Sequence, residues 1–358
     1  MNERAARFKR LEPLLDRALE LEGGARERFL VLCGEIHPDL IDDLRRALAP
    51  DAKLLPDIGA VAASATAAPA TDRRGLIVGG WRLLERLGRG GMGSVYRAER
   101  LHHADEIAAV KLLRVETVAD APLRRDLFER ERMLLARLDH PGIARLIDSG
   151  TPRDAPSYLV LELAPGWDLD DWLAQLQPDL PRRLAVLLQV ADAVTYAHGC
   201  GVLHRDLKPS NVRVDGHDMA RLLDFGIGKS LDATPGATRF TALTPDWAAP
   251  EQLLGQPTTA TTDVYALGAL LYLMLTGRLP HQPFDDNWPA LLDAAATRLP
   301  LPPSRAELHV PETPIRFARQ PGALDAVVLR ALAPEPARRQ RSAAEFAAQL
   351  RACLEVER

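Results

Sequence analysis

The stretch HRDLKPSN, His204 to Asn211, constrains the fold more than any other part of this 358-residue chain. It crowds an imidazole, a guanidinium, a carboxylate, an ammonium, a hydroxyl and an amide into one segment, with apolar residues on either side. The pattern reads as a loop bounded by apolar strands.

The residue types define a chemistry. Asp206 can accept a hydrogen bond from an attacking hydroxyl, Lys208 can neutralise charge on a transferring γ-phosphoryl group, and Asn211 can coordinate Mg²⁺ through its amide oxygen. Asp224, in LLDFG, completes a metal-binding set. Phosphoryl transfer asks little covalent chemistry of a protein; positioning and charge stabilisation are the main tasks.

Upstream, LGRGGMGSV places Gly88, Gly90 and Gly93 in a GxGxxG pattern, in which backbone N–H groups can approach phosphate oxygens. The pattern alone is weak, because a dinucleotide-binding turn or a plain glycine-rich hairpin shares it. SVYRAER after it reads as a strand, so the glycines are expected on a β-hairpin lying over a nucleotide. Lys111, eighteen residues beyond Gly93, lies in the apolar strand AAVKLL and needs an anionic partner there. Glu131 on the following helix is the expected partner, and the pair would aim the ammonium at the α/β-phosphates.

Organisation follows texture. Residues 1–49 carry apolar positions at helical spacing and read as short amphipathic helices; residues 50–78, rich in Ala, Pro and Thr, read as a flexible linker. From Gly79, strand-like runs at Trp81 to Leu87, Ser94 to Glu99 and Ile107 to Leu113 precede a helical pattern over Leu123 to Leu138; after Asp168 the chain is mostly helical. The fold class is α+β and two-lobed, with a β-rich lobe over 79–163, a helical lobe over 164–356 and a cleft between them. A net charge of −4 without a basic run argues against nucleic acid. Three scattered cysteines indicate neither zinc nor a disulfide framework. The longest apolar run, Val264 to Leu275, is too short to span a bilayer and reads as a buried helix; with no secretory signal pattern, a cytoplasmic location is expected.

HRDLKPSN, DFG and AAPE, in this order behind the lysine and the glycine loop, resemble the eukaryotic-type (Hanks-type) protein kinase superfamily in its bacterial serine/threonine form, over Gly79 to Leu354. The resemblance implies a two-lobed kinase fold that uses ATP with Mg²⁺, for which Mn²⁺ can substitute. It implies that Asp206 is the catalytic base with Lys208 beside it, and that Asn211 and Asp224 hold the metal. Leu87, Gly88, Arg89, Gly90, Gly91, Met92 and Gly93 would cover the phosphates, Val95 and Ala109 would roof the adenine, and Leu161 would be the gatekeeper. Glu162 to Ala164 would form the hinge that bonds adenine through its backbone, and Asp168 would contact the ribose. By the same resemblance Glu251 pairs with Arg339, and Asp263 braces the catalytic loop. Thr244, in LTPDW, corresponds to the threonine that touches the catalytic Asp and Lys, so Ser and Thr hydroxyls of proteins are the expected acceptors.

Arg205 corresponds to the arginine that receives a phosphate placed between DFG and APE, with Thr238 favoured over Thr234 and Thr241 as the acceptor. Trans-autophosphorylation would involve a homodimer, and the helices of 1–49 would recruit an unidentified partner. One residue departs from the family pattern: Arg213 stands where most members place an apolar side chain beneath the adenine. It can stack on the base, lend its stem as a floor, or weaken ATP binding through a poorly solvated charge. Two other readings stand beside the enzyme: a pseudokinase acting as a nucleotide-binding scaffold, and a small-molecule kinase of related fold.

Overall fold

The computed structural model describes residues 30, 40–48, 73–90, 93–113, 128–129, 132–152, 156–225, 245–281, 288–306 and 321–357. Of the front segment this includes the helix α1 (Ile41–Leu48), in which Leu40, just before it, and Leu44 are buried. Glu131, Gly91, Met92, Thr238, Thr241 and Thr244 lie outside the described residues, as do residues 50–72 of the expected linker.

The first lobe is a six-stranded antiparallel sheet built from β1 (Ile77–Val78), β2 (Trp81–Gly90), β3 (Gly93–Arg100), β4 (His103–Leu113), β5 (Leu146–Gly150) and β6 (Tyr158–Glu162), in the order β1-β2-β3-β4-β6-β5. It begins earlier than the expected boundary at Gly79. The Gly75 N–H donates to the Leu83 carbonyl at 2.8 Å and Ile77–Val78 pair with Trp81–Arg82, so the end of the expected linker is part of the sheet. Residues 128–129 and 132–135 are helical within the expected 123–138 helix, which gives way to a turn at 136–137.

Period-two alternation sorts β4 by face. Ala108, Val110 and Leu112 enter one buried cluster with Val78, Trp81, Leu83, Tyr96 and Val160. Ala109 and Lys111 take the opposite face; Lys111 stands across from Val95 on one side and Leu159 on the other, and Leu159 packs into the main core with Leu135, Leu138 and Phe225. A slip of one residue in β4 would bury Val110 in the cleft and lose Lys111 from it.

The second lobe is helical apart from the small sheet β7 (Trp167–Asp168), β8 (Val212–Val214) and β9 (Ala220–Leu222). Its helices are α2 (Leu169–Leu176), α3 (Leu180–Gly199), α4 (Pro250–Leu253), α5 (Ala260–Thr276), α6 (Trp288–Thr297), α7 (Pro321–Ala331) and α8 (Ala343–Glu357). Helix α3 starts where Asp179 accepts a hydrogen bond from the Arg182 N–H, and it buries Leu184, Leu187, Val190, Ala191 and Val194 at helical spacing. Helix α5, which contains the apolar run, is buried on all sides, as a helix apolar around its whole circumference must be. Phe346 and Leu350 of α8 are fully buried in the same core, and each side chain of this size contributes about 2 kcal/mol. Among the described residues no helix is long and apolar enough to cross a membrane.

A buried ion pair ties the front of α4 to the chain before α8. Arg339 Nη1 and Nη2 donate to the two Glu251 carboxylate oxygens at 2.8 and 2.9 Å. Its remaining donors reach the carbonyls of Ala333, Thr261 and Pro334, and the guanidinium lies 4.9 Å from the Tyr265 ring centre. All five N–H groups are thereby used, the condition under which a buried guanidinium is tolerable. Chemical denaturation should show Glu251→Gln losing about 3 to 5 kcal/mol, and Arg339→Ala losing more, because the second change also orphans three carbonyls. A loss below about 1 kcal/mol for both, the range of an exposed pair, would contradict this account.

Candidate active site

The HRDLKPSN loop is shaped from beneath by one carboxylate. Asp263, almost wholly buried near the start of α5, accepts from the backbone N–H groups of His204 and Arg205, both at 2.8 Å, and from His198 Nε2 at 2.7 Å. Burial opposes its charge, but the His198 hydrogen bond, the neighbouring imidazoles and the Arg205 N–H together hold its pKa below the usual carboxylate range. Arg205 is thereby kept at φ 63°, an uncommon conformation for a residue with a side chain.

His204 is fully buried, and burial pushes its pKa down. Its Nδ1 accepts from the Asp206 N–H while Nε2 faces the Leu223 carbonyl at 3.1 Å, which fits a neutral ring protonated on Nε2. The ring also packs on Phe225, with centroids 4.6 Å apart, so the loop and the DFG segment share one support. The segment ahead of the loop is not the strand expected from the sequence. After α3 ends, Gly201 takes φ 76° and the Val202 N–H turns back to the Ala197 carbonyl, so Val202 is spent on the helix end, and neither it nor Leu203 belongs to a strand. The strand after the loop, β8, is present.

On this support the predicted residues meet. Lys208 Nζ lies 3.2 Å from Asp206 Oδ2, and Asn211 Nδ2 donates to the Asp206 carbonyl at 2.7 Å and to Oδ2 at 3.3 Å. With its nitrogen so engaged, Asn211 turns its amide oxygen away from Asp206. Across the cleft Lys111 Nζ bonds Asp224 Oδ1 at 2.9 Å. The Lys111 ammonium holds the Asp224 carboxyl well below its ordinary pKa, so it is a ready hard-oxygen ligand. Asp224 itself sits at φ 40°, a second strained residue of the same site.

The glycines lie on a hairpin, as expected. Gly88 pairs with Val95, Arg89 with Ser94 and Gly90 with Gly93, so the strands continue to the tip and no helix follows. Gly93 has φ 149°, and a Cβ there would run into the Leu112 carbonyl, so this position requires glycine. Leu87 is half-exposed on β2. Leu161 lies in β6 in register with Ala109 and lines a small recess with Leu135, Leu159, Leu222, Asp224 and Phe225. Strand pairing ends at Glu162, which leaves the backbone of Leu163 and Ala164 outside the ladder.

Arg213 does not point a free charge at this space. Its Nη1 donates to Asp168 Oδ1 at 2.9 Å and its Nη2 to the Gly166 carbonyl. Four residues of the site carried no signal of their own in the sequence. His198 and Thr262 act through carboxylates, Gln252 bonds the Arg205 carbonyl at 2.9 Å, and Arg221 bonds Glu162 at 2.5 Å. Three of them adjoin recognisable positions: Gln252 follows AAPE, Arg221 precedes LLDFG and Thr262 precedes Asp263.

Comparison with known proteins agrees with this geometry. Residues 81–314 match the protein kinase domain family. Serine/threonine-protein kinase pkn3 of Myxococcus xanthus is 36% identical over 282 residues, 76% of this chain and 49% of that protein. Serine/threonine-protein kinase PknB of Mycolicibacterium smegmatis is 36% identical over 280 residues, 75% of this chain and 42% of that protein, so the chain spans about half the length of such relatives or less. The crystal structure of the Mycobacterium tuberculosis PknI kinase domain aligns with a TM-score of 0.56 at 30% identity, covering 78% of this chain and 98% of that one. A two-lobed fold, a cleft carrying Lys111, Asp206, Asn211 and Asp224, and a family match over most of the chain lead to one conclusion: this chain belongs to the protein kinase family, in its bacterial Hanks-type branch.

Proposed function

We propose that the chain transfers the γ-phosphoryl group of Mg·ATP to serine and threonine hydroxyls of protein substrates. The observation that carries this reading is the convergence, in one cleft, of the Lys111–Asp224 pair with the Asp206, Lys208 and Asn211 cluster. In this mechanism the hairpin of Gly88 to Gly93 lies over the phosphates and Lys111 draws the α/β-phosphates toward Asp224. Asp206 accepts the proton of the attacking hydroxyl, and Lys208, already beside it, offsets charge gathering on the phosphoryl oxygens. Asp224 and the Asn211 amide oxygen would be the hard donors that hold Mg²⁺. Bound there, the metal would supply positive charge to offset the charge that develops on the transferring phosphoryl group.

Arg205 supports a regulatory extension. Burial lowers its pKa, and its Nε is buried with no hydrogen-bond partner among the described residues, an unmet donor suited to a phosphate on the segment between Asp224 and Glu251. Thr238 and Thr241 are the acceptors proposed for it, and Thr244 is proposed to steady Asp206 and Lys208.

Transfer of label from γ-labelled ATP to a generic protein acceptor tests the main reading. Asp206→Ala should lower turnover by about 10²- to 10⁴-fold while leaving ATP binding in place. Transfer by the parent no faster than by Asp206→Ala would favour the nucleotide-binding scaffold. Mass spectrometry of active protein should find phosphate between Asp224 and Glu251 that is absent from Asp206→Ala protein; a bare segment in active protein would remove the autophosphorylation proposal.

A further inference from the structure

Asp168 ends β7 and lies in register with Arg213 of β8. It is also the residue before α2, with φ −62° and ψ 152°, the setting in which an aspartate ordinarily accepts from a first-turn N–H. It makes no such bond. Its carboxylate turns instead to Arg213 Nη1, and the other arm of the same guanidinium is fixed by the Gly166 carbonyl. Gly166 has φ 92°, and a Cβ there would collide with the Val214 carbonyl, so the chain after the hinge lies directly on β8. Arg213 Nε is buried without a partner, a cost that swinging the side chain into water would remove; the two Nη bonds outweigh it. Arg221, opposite Arg213 across β8 and β9, holds Glu162 in the same manner.

We infer that Arg213 is a positioning residue for the sugar of the bound nucleotide: by taking Oδ1 of Asp168 and drawing the carboxylate off the α2 N-terminus, it presents Oδ2 to the ribose hydroxyls. This rests on the ATP-binding reading above. A carboxylate has acceptor capacity beyond one hydrogen bond, and Oδ2 has no protein partner among the described residues in a side chain that is 39% exposed. With both Nη groups engaged, the guanidinium is not left to be stranded when a base enters, and the aliphatic stem serves as floor beneath it. The arginine that breaks the family pattern thus takes over the orientation of the ribose contact.

Calorimetric titration of the full chain with Mg·ATP and with Mg·2′,3′-dideoxy-ATP tests this. The parent should prefer ATP, and Asp168→Ala should lose that preference by roughly tenfold, the size of a charge-assisted hydrogen bond. Arg213→Leu should lose the same preference while its affinity for the dideoxy nucleotide stays within about twofold, and Asp168→Ala combined with Arg213→Leu should lose nothing further. Arg213→Lys, which keeps the charge without the fork, should restore part of it. The inference is overturned if Arg213→Leu weakens both nucleotides equally, strengthens ATP, or keeps the parent's preference while Asp168→Ala loses it. Should Arg213→Leu fail to fold, Arg213→Lys carries the test alone: an unchanged preference overturns the inference and a partial loss supports it. If the parent binds neither nucleotide, the ATP reading itself falls and this inference falls with it.

Discussion

The carboxylate of Asp263 accepts two successive backbone N–H groups of the HRDLKPSN loop from inside the helical core, and the rest of the site hangs from that contact. A charge this deep survives only where donors replace its water, so the loop must close on α5 for α5 to be buried there at all. Closing the loop on α5 forces Arg205 into its positive-φ conformation, at a cost of roughly 1 to 3 kcal/mol held by the surrounding bonds. Asp206 follows directly, and the bonds from Asn211 to its carbonyl and carboxylate set the end of the loop.

The residue beside Asp263 does comparable work for a second lock. Thr262 donates to Glu251 at 2.8 Å, and Glu251 is the carboxylate gripped by Arg339. Gln252, next in sequence, bonds the Arg205 carbonyl while accepting from the Ala249 N–H. Two consecutive residues of one buried helix thus fasten both the HRDLKPSN loop and the start of α4. Damage to either lock should be felt at the other, because residues that share a hydrogen-bonded network couple energetically.

Between the lobes an ion pair adds to the apolar packing of Leu159 with Phe225. Lys111 reaches Asp224 from a strand whose opposite face is committed to an apolar cluster, so β4 cannot roll within its sheet without unburying Ala108, Val110 and Leu112. The ammonium and carboxylate are therefore aimed before any ligand arrives. Preorganised charge of this kind is what a phosphoryl-transfer site needs, since its groups need not reorganise during the reaction.

Sequence alone determined the order of the parts: a strand-rich lobe, then helices, with glycines on a hairpin and Val264 to Leu275 as a buried helix. These rest on local periodicity and on short motifs whose chemistry is written in adjacent residues. The cleft residues Lys111, Asp206, Asn211 and Asp224 were legible for the same reason. Other features were settled only by tertiary structure. That Val202 closes a helix and Leu203 joins no strand depends on where α3 stops, and that Ile77 and Val78 join the sheet depends on a partner, β2, lying alongside. The place of Arg213 depended most on the fold. An arginine in NVRV reads equally as a stacking group, a floor or a liability; only the register of β7 on β8 brings Asp168 and Gly166 to its two arms, because the contact spans forty-five residues that no local pattern links.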